Sequence, residues 1–532
     1  GPTQYLNLID SFSLDRLEVL FGPGSVLYGS DALAGVIQAI PISKDSYTFE
    51  NGASVHGNFL SRYETADRGL TGHGHVVINY KNIGFAGGGS KKKFGDLRGG
   101  EDVGRQIYTG YEQDNAFSNF SYKIKDGLFK NWSFKVAYLY TNIDDAGRTD
   151  KLYDKQKLQL YDNIDHSAYG KIHMDFKKMK TTADLTLSYQ YFFEYKENIS
   201  MEENLKVKTN STRDETRVNT YGGDIQFSTE VHKKFVNVLY GGMWYHDRVG
   251  SRQYKKNDFY NDDWDETGIT AYPDESTYDN YGIFTMIELY PVKQKNGHIV
   301  EFNAGYRYHG MKAETPSTDT LPDTSFTDSG HIFLAGIQYI YKKMATTAFT
   351  FSQGFRSPNL QESAMLGDTG KFFHVPNDDL KPEKSNTFEL LGRLQLKRIH
   401  LGFAGYLSLI DDIIIREATT YNNQTEIDGK EVQKNVNGGE ATIYGFESAV
   451  KVNILYGFSM FGNITYTWGE EKEDDGEKDP VSRIPPLYGL GGIRWDSKEY
   501  LKLKSFLEFY IKGATEQDRL SEEDKKDVRI PE

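Results

Sequence analysis

The sequence predicts an all-β membrane protein, an antiparallel transmembrane β-barrel of up-and-down strands. Three observations carry that expectation. Hydropathy alternates with a period of two along most of the chain, the connections between alternating runs are by turns short and long, and aromatic residues are abundant although no stretch holds the roughly 18 uncharged apolar residues of a membrane helix.

The first element is separate from the alternating runs. Leu14 to Leu20 reads as a short strand, Gly22-Pro23-Gly24 as a tight turn, and Val36 to Ile42 as a second apolar run after a small-residue segment with Gly29 and Gly35. Glycine supplies the backbone conformations and close approaches of such a compact α/β knot, and Pro23 fixes its own φ. At this length it is too short to be a domain.

From Glu50 onward one plan repeats. Phe134, Val136, Tyr138 and Tyr140 alternate with Ser133, Lys135, Ala137 and Leu139; Leu185, Leu187, Tyr189 and Tyr191 alternate with Asp184, Thr186, Ser188 and Gln190. Phe302 to Tyr308, Ile464 to Trp468 and Leu501 to Phe509 repeat it, which means strands with one wet and one apolar face. Short turns fall at Lys81-Asn82, Lys177 to Lys180, Lys293 to Gly297, Lys397-Arg398 and Leu455 to Gly457, among others. Longer polar segments separate them, near 62–72, 93–112, 143–165, 196–216, 248–277, 313–329, 355–384, 419–438 and 469–484. A meandering barrel with short periplasmic turns and long extracellular loops keeps that parity, and a soluble sandwich has no reason to. Counting runs gives nineteen strands.

Composition agrees. A soluble chain of 532 residues ordinarily divides into domains joined by recognisable linkers, and none is recognisable here. Membrane strands expose only alternate residues to lipid, so a low mean hydropathy is compatible with a fully apolar outer surface, and 37 tyrosines suit two interfacial girdles. The net charge of −14 argues against nucleic acid as partner and suits loops at a cell surface. The absence of cysteine excludes disulfide staples and thiolate chemistry and is compatible with passage through an oxidising periplasm. No catalytic constellation is recognisable, so an enzyme is not expected. No GxxxxGK[ST] loop occurs either, so energy must come from outside the chain.

The run RLEVLFGPGSVLYGSDALAGVI, Arg16 to Ile37, resembles the last third of the plug domain of TonB-dependent outer-membrane receptors, where IEVxRGPxSxLYGxxAxGGVI precedes the barrel. Glu18, Gly22, Pro23, Ser25, Tyr28, Gly29, Ala32, Gly35, Val36 and Ile37 match; Phe21 stands in place of an arginine and Ala34 in place of a glycine. The arginine would be expected to make a plug-to-barrel ionic contact, which Phe21 cannot. GFRSPNLQE (Gly354 to Glu362), PNDDLKPEKSNTFEL (Pro376 to Leu390), YGFE (Tyr444 to Glu447), SRIPPLYGLGGIRW (Ser482 to Trp495) and QDRLSEEDKKDVRIP (Gln517 to Pro531) resemble barrel signatures of the same family, in their usual order.

The resemblance implies a 22-stranded barrel with about 19 strands present, closed around an internal plug. Residues 1–45 are then expected to be the C-terminal part of the plug and 46–532 the barrel, truncated at both ends, since the sequence opens in mid-motif at Gly1-Pro2. It implies an outer-membrane receptor of a Gram-negative bacterium that imports a scarce iron compound, haem or a ferric siderophore, by active transport. Expected partners are the TonB energy-transducing complex, outer-membrane lipid and lipopolysaccharide, with a surface lipoprotein possible. The alternatives are a vitamin or glycan importer of the same fold and a passive or structural outer-membrane barrel.

Candidate ligand residues follow from the same source. Phe355-Arg356-Ser357-Pro358 and Asn377-Asp378-Asp379-Leu380 resemble the FRAP and NPDL boxes, with His374 between them. In haem receptors of this family a histidine in that loop ligates iron, for which a neutral imidazole is suited. Tyr254, Phe259, Tyr260, Trp264 and Tyr272 enrich segment 248–277 in aromatics that stack on a porphyrin, catecholate or sugar face. Interleaved Asp258, Asp262, Asp263, Asp265 and Glu266 offer oxygen ligands for Ca²⁺, although their spacing is not that of an EF-hand and a solvated loop explains them as well. His73 and His75 share a strand face near His56 and read as lumen-facing polar residues rather than a metal site. No resident cofactor is expected, the haem or ferric chelate being cargo.

Overall fold

In the computed structural model the described residues are 7–46, 52–100, 104–149, 152–203, 205, 207–232, 235–261, 263–267, 273–317, 323–368, 372–427, 429–473, 476–498 and 504–525. Strand β1 (Leu14–Phe21) and strand β2 (Gly35–Pro41) form an antiparallel hairpin, with Leu20 opposite Val36 and Phe21 opposite Gly35. Between them Gly22 takes φ +76°, a left-handed turn, and one helical turn, α1 (Ser25–Tyr28), follows, closed by Gly29 at φ +91°. Both conformations are inexpensive only for glycine.

Around this hairpin stand nineteen wall strands, from Ala53–Tyr63 to Phe506–Ala514, curled into a barrel in sequence order. Each is antiparallel to the next, as with Ala53 opposite Tyr80 and Tyr488 opposite Ala514. Among the described residues no register joins the first wall strand to the last, and the last is exposed along all nine residues. The count agrees with the number of alternating runs.

The alternation is what the two solvents require. On Ser133–Arg148, Phe134, Val136 and Tyr138 are exposed on the outer face while Ala137, Thr141 and Ile143 are buried on the inner one. Short turns close with left-handed residues, Lys81, Lys180, Asn296 and Tyr456. Among the described residues no helix is long and apolar enough to cross a membrane.

One expectation needs correction. The segments 143–165 and 196–216 are not loops over most of their length, and 248–256 is strand as well, because Lys157–Phe176, Thr181–Met201, Lys208–His232 and Val236–Lys256 run far into them. Beyond the lipid both faces of a strand are wet, so the period-two pattern vanishes while the backbone ladder continues. Hydropathy alone cannot see that continuation. Tyr272 and Asp262 lie outside the described residues, as does the end of the motif beyond Lys525.

Candidate functional site

The hairpin stands inside the barrel, β1 exposed along nearly all its length, with a cavity on either side. One, about 1400 Å³, lies between Phe21-Gly22-Pro23 and wall residues that include Glu389, Tyr406 and Glu447. The other, about 1260 Å³, lies between Gln38 to Pro41 and a wall carrying Asp165, Glu194 and Asp224.

Two anchors hold the segment. At the first, Asp10 pairs with Lys92 at 3.0 Å and accepts hydrogen bonds from Ser13 Oγ at 2.8 Å and from Ser90 Oγ. Lys92 also lies over the Phe12 ring, which stacks on His73. Burial pushes the Asp10 carboxyl up, but Ser90, Lys92 and Ser13 outweigh it and hold it below the usual carboxylate range.

The second anchor is built mainly of backbone hydrogen bonds and joins the plug-like motif to the FRSP box. Phe355 N donates to Ser25 Oγ at 3.3 Å, Ser357 N to Ser30 Oγ at 3.1 Å, and Asp31 N to Phe355 O at 3.2 Å. Phe355, only 3% exposed, packs with Val26 and Ile332 and lies 4.2 Å from the His309 ring. Burial raises the Asp31 carboxyl, against the opposing pull of Arg356. Thus Ser25 and Phe355, singled out separately in the sequence, meet each other.

The remaining motif residues are placed as follows. Glu18 is exposed and accepts from Arg16 Nε at 2.7 Å, and Tyr28 is exposed beside the second cavity. Pro23 lines the first. A Cβ on Gly22 would overlap the Glu389 carboxylate, one on Gly35 would come 2.7 Å from Leu20 O, and one on Gly29 would meet Met243 and Arg307. The expected ionic contact has no plug arginine here: Glu389 faces Gly22, and Phe21 projects into the cavity.

Arg356 is engaged with protein carboxylates. Its Nη1 donates to Glu362 at 2.8 Å and its Nε to Glu383 at 2.7 Å. Glu362 completes a capping box with Asn359 at the start of the helix Leu360–Ala364, and Glu383 also accepts from Ile414 N. His374 sits on the short strand Phe373–Val375, parallel to Val432 to Lys434, and is 3% exposed. Its Nε2 has no hydrogen-bond partner, and burial together with Arg416 lowers its proton affinity, so the imidazole is neutral near pH 7. A neutral imidazole with a free Nε2 has the chemistry of an axial iron ligand.

The aromatic segment is organised around cations. Arg213 lies over Tyr195 and Trp264, 4.6 and 5.6 Å from their centroids, and Lys256 over Phe259 and Trp264, at 4.2 and 4.7 Å. Tyr260 is 69% exposed with its ring against the edge of Phe259. Among the described residues, neither His374 nor this segment lines either cavity beside the hairpin. His73 Nε2 lies 2.9 Å from His75 Nδ1, and among the described residues no three His, Asp or Glu are grouped to hold a metal.

Sequence reasoning passed over Arg307 and His309. Both are fully buried on the inner face of His298–Thr315, where Arg307 Nη1 donates to Val26 O at 3.4 Å and its Nε and Nη2 lack partners. The only signal available was their position, alternating with outward Tyr306 and Tyr308.

The family model described as TonB dependent receptor-like, beta-barrel, matches residues 53–515. A vitamin B12 transporter, BtuB of Vibrio vulnificus (strain CMCP6), is 23% identical over 337 residues, 59% of this chain. The chain spans about half the length of that curated relative. Among solved structures, the copper transporter OprC superposes with a TM-score of 0.76 at 15% identity, covering 98% of this chain and 77% of its own. The Serratia marcescens hemophore receptor HasR, solved with its hemophore HasA and heme, gives 0.69 at 13% identity, covering 96% and 82%. The siderophore receptor PiuA of Acinetobacter baumannii gives 0.65 at 11%, covering 94% and 79%.

Proposed function

Because the chain belongs to the TonB-dependent receptor family, we propose that it is the plug-and-barrel part of an outer-membrane receptor that imports a scarce iron compound, haem or a ferric siderophore, by TonB-coupled active transport. On this reading residues 1–45 are the end of the plug and 46–532 the barrel. Members of this family are outer-membrane proteins of Gram-negative bacteria. The observation that carries the reading is the hairpin lodged across the lumen, clipped to the wall at Asp10 and at Ser25 to Asp31. A lumen occupied in this way needs a displacement before cargo passes, and the chain shows no nucleotide-binding loop to drive one.

His374 supports haem as cargo through its unpartnered Nε2. A second reading, cobalamin, is favoured by the match to the vitamin B12 transporter. A strain lacking the protein, offered haem, ferric siderophores or cobalamin as the sole source, separates these. Loss of growth on haem alone supports haem import, and loss on cobalamin alone replaces iron with the vitamin. Growth unaffected on every source overturns active import and favours a passive barrel. For the full protein, a His374→Ala variant is expected to lose the imidazole signature in the haem absorption spectrum. Unchanged binding and spectrum would remove His374.

A further inference from the structure

Glu362 is held through its side chain and through its backbone, and both holds bear on His374. Its carboxylate closes the capping box of the helix Leu360–Ala364, where Oε2 accepts from Asn359 N at 3.1 Å and from Arg356 Nη1 at 2.8 Å. Its carbonyl accepts from Asn435 Nδ2 at 3.0 Å and also takes the ring N–H of His374. Nε2 is the ring nitrogen without a partner, so the N–H on that carbonyl belongs to Nδ1. The surroundings are stitched to the same point. Asn377 N donates to Ser363 O at 2.9 Å and Asn377 Nδ2 to Asn435 O at 2.7 Å, while His374 lies opposite Gln433 on the wall strand Lys430–Asn453.

A helix of five residues has almost no stability of its own, so the place of the Glu362 carbonyl is set by the groups that grip it. A neutral imidazole has one N–H and one lone pair, and the nitrogen that donates to an acceptor leaves the other as the ligand. An acceptor on the far nitrogen also orients the ring and raises the basicity of the free one. Without that acceptor the ring exchanges tautomers and turns about its own bonds.

We propose that Glu362 is the positioning residue of His374: its carbonyl keeps the proton on Nδ1 and Nε2 free to coordinate iron, and its carboxylate, gripped by Arg356 and Asn359, fixes where that carbonyl stands. Arg356, which the sequence offers as a ligand-binding residue, then acts through Glu362 and not on the cargo. The inference rests on the reading of the cargo as haem. The haem absorption spectrum of the full wild-type protein tests that premise by itself, because a spectrum without an imidazole ligand defeats both ideas, whereas an imidazole spectrum leaves Glu362 to stand on its own test.

That test uses the full protein in detergent with isotope-labelled histidine, read by nitrogen NMR first without haem and then by haem titration. The His374 resonances, identified by their loss in His374→Gln, are expected to show a bare Nε2 and a protonated Nδ1. Glu362→Ala is expected to mix the two tautomers and to weaken haem binding about 10–100-fold. Glu362→Gln, whose side-chain oxygen still accepts from Asn359 and Arg356, is expected to restore both. Gln433→Ala, opposite His374 but away from the carbonyl, is expected to change neither. If Glu362→Ala fails to fold, Asn435→Ala, which frees the same carbonyl from its other donor, is expected to mix the tautomers in its place. A proton on Nε2 in the wild type, an unchanged tautomer and haem affinity in whichever variant folds, a Glu362→Gln protein as impaired as Glu362→Ala, or an equal effect of Gln433→Ala would overturn the proposal.

Discussion

The two anchors of the hairpin differ in kind. Around Asp10 the contact is a buried ion pair, with the Lys92 side chain 11% and the Asp10 side chain 3% exposed. Around Ser25 to Asp31 it is a set of neutral hydrogen bonds to the backbone of Phe355 and Ser357, beside packed apolar side chains. The second anchor distributes its hold over several modest contacts, each contributing about 0.5–1.5 kcal/mol. The ionic end concentrates it in a carboxylate whose removal leaves a buried charge uncompensated. One anchor is therefore brittle and weakens in acid, while the other is graded, and its Asp31 carboxyl, raised by burial, responds to pH in the opposite sense.

The largest effect should come from Asp10→Asn. It keeps the shape, removes the charge, and is expected to cost about 3–5 kcal/mol at that anchor. Hydrogen exchange should show residues 7–13 losing protection while residues 24–32 keep theirs; equal loss at both would mean that the anchors act as one. Acid should do the same more gently. The Asp10 carboxyl is depressed in the folded state, so its contribution is present above the ordinary carboxylate pKa of about 3.9 and disappears as pH falls through the depressed value. Protection at residues 7–13 should fall below about pH 4.

A smaller change, about 1–3 kcal/mol in total, is expected when Ser25→Ala and Ser30→Ala are combined, removing two hydrogen bonds. Exchange at the amides of Phe355 and Ser357 should then quicken without any new pH dependence. The smallest effect should come from Phe21→Arg, which places a cation in the cavity that Glu389 lines. At most about 1 kcal/mol is expected from a solvated pair of this type, seen as slower exchange in β1 and abolished by Glu389→Gln. No change in exchange would mean that the arginine does not reach the carboxylate.

The strands were legible because lipid and water impose opposite demands on successive residues, as Phe134 to Tyr140 make plain. The hairpin was legible through Gly22 and Gly29, whose left-handed backbones tolerate few alternatives. The partnership of Ser25 with Phe355 was not, because 330 residues separate them and neither motif encodes the other. Arg356 looked available in the sequence because its acceptors, Glu362 and Glu383, are ordinary loop carboxylates until the fold gathers them. Arg307 was invisible for a similar reason. Its setting is made by α1, and a charged residue on a wet face draws no notice.

The height of the wall has its own consequence. Lys208–His232 has 25 residues, which at about 3.4 Å each makes a strand of about 85 Å, whereas crossing the bilayer uses only about ten. More than half of that stave rises above the lipid as a ladder-bonded chimney. On the transport reading proposed above, anything descending toward the hairpin would first pass a rim stiffened by hydrogen bonds, and be gauged by the bore of the flue before any side chain at its base could grip it.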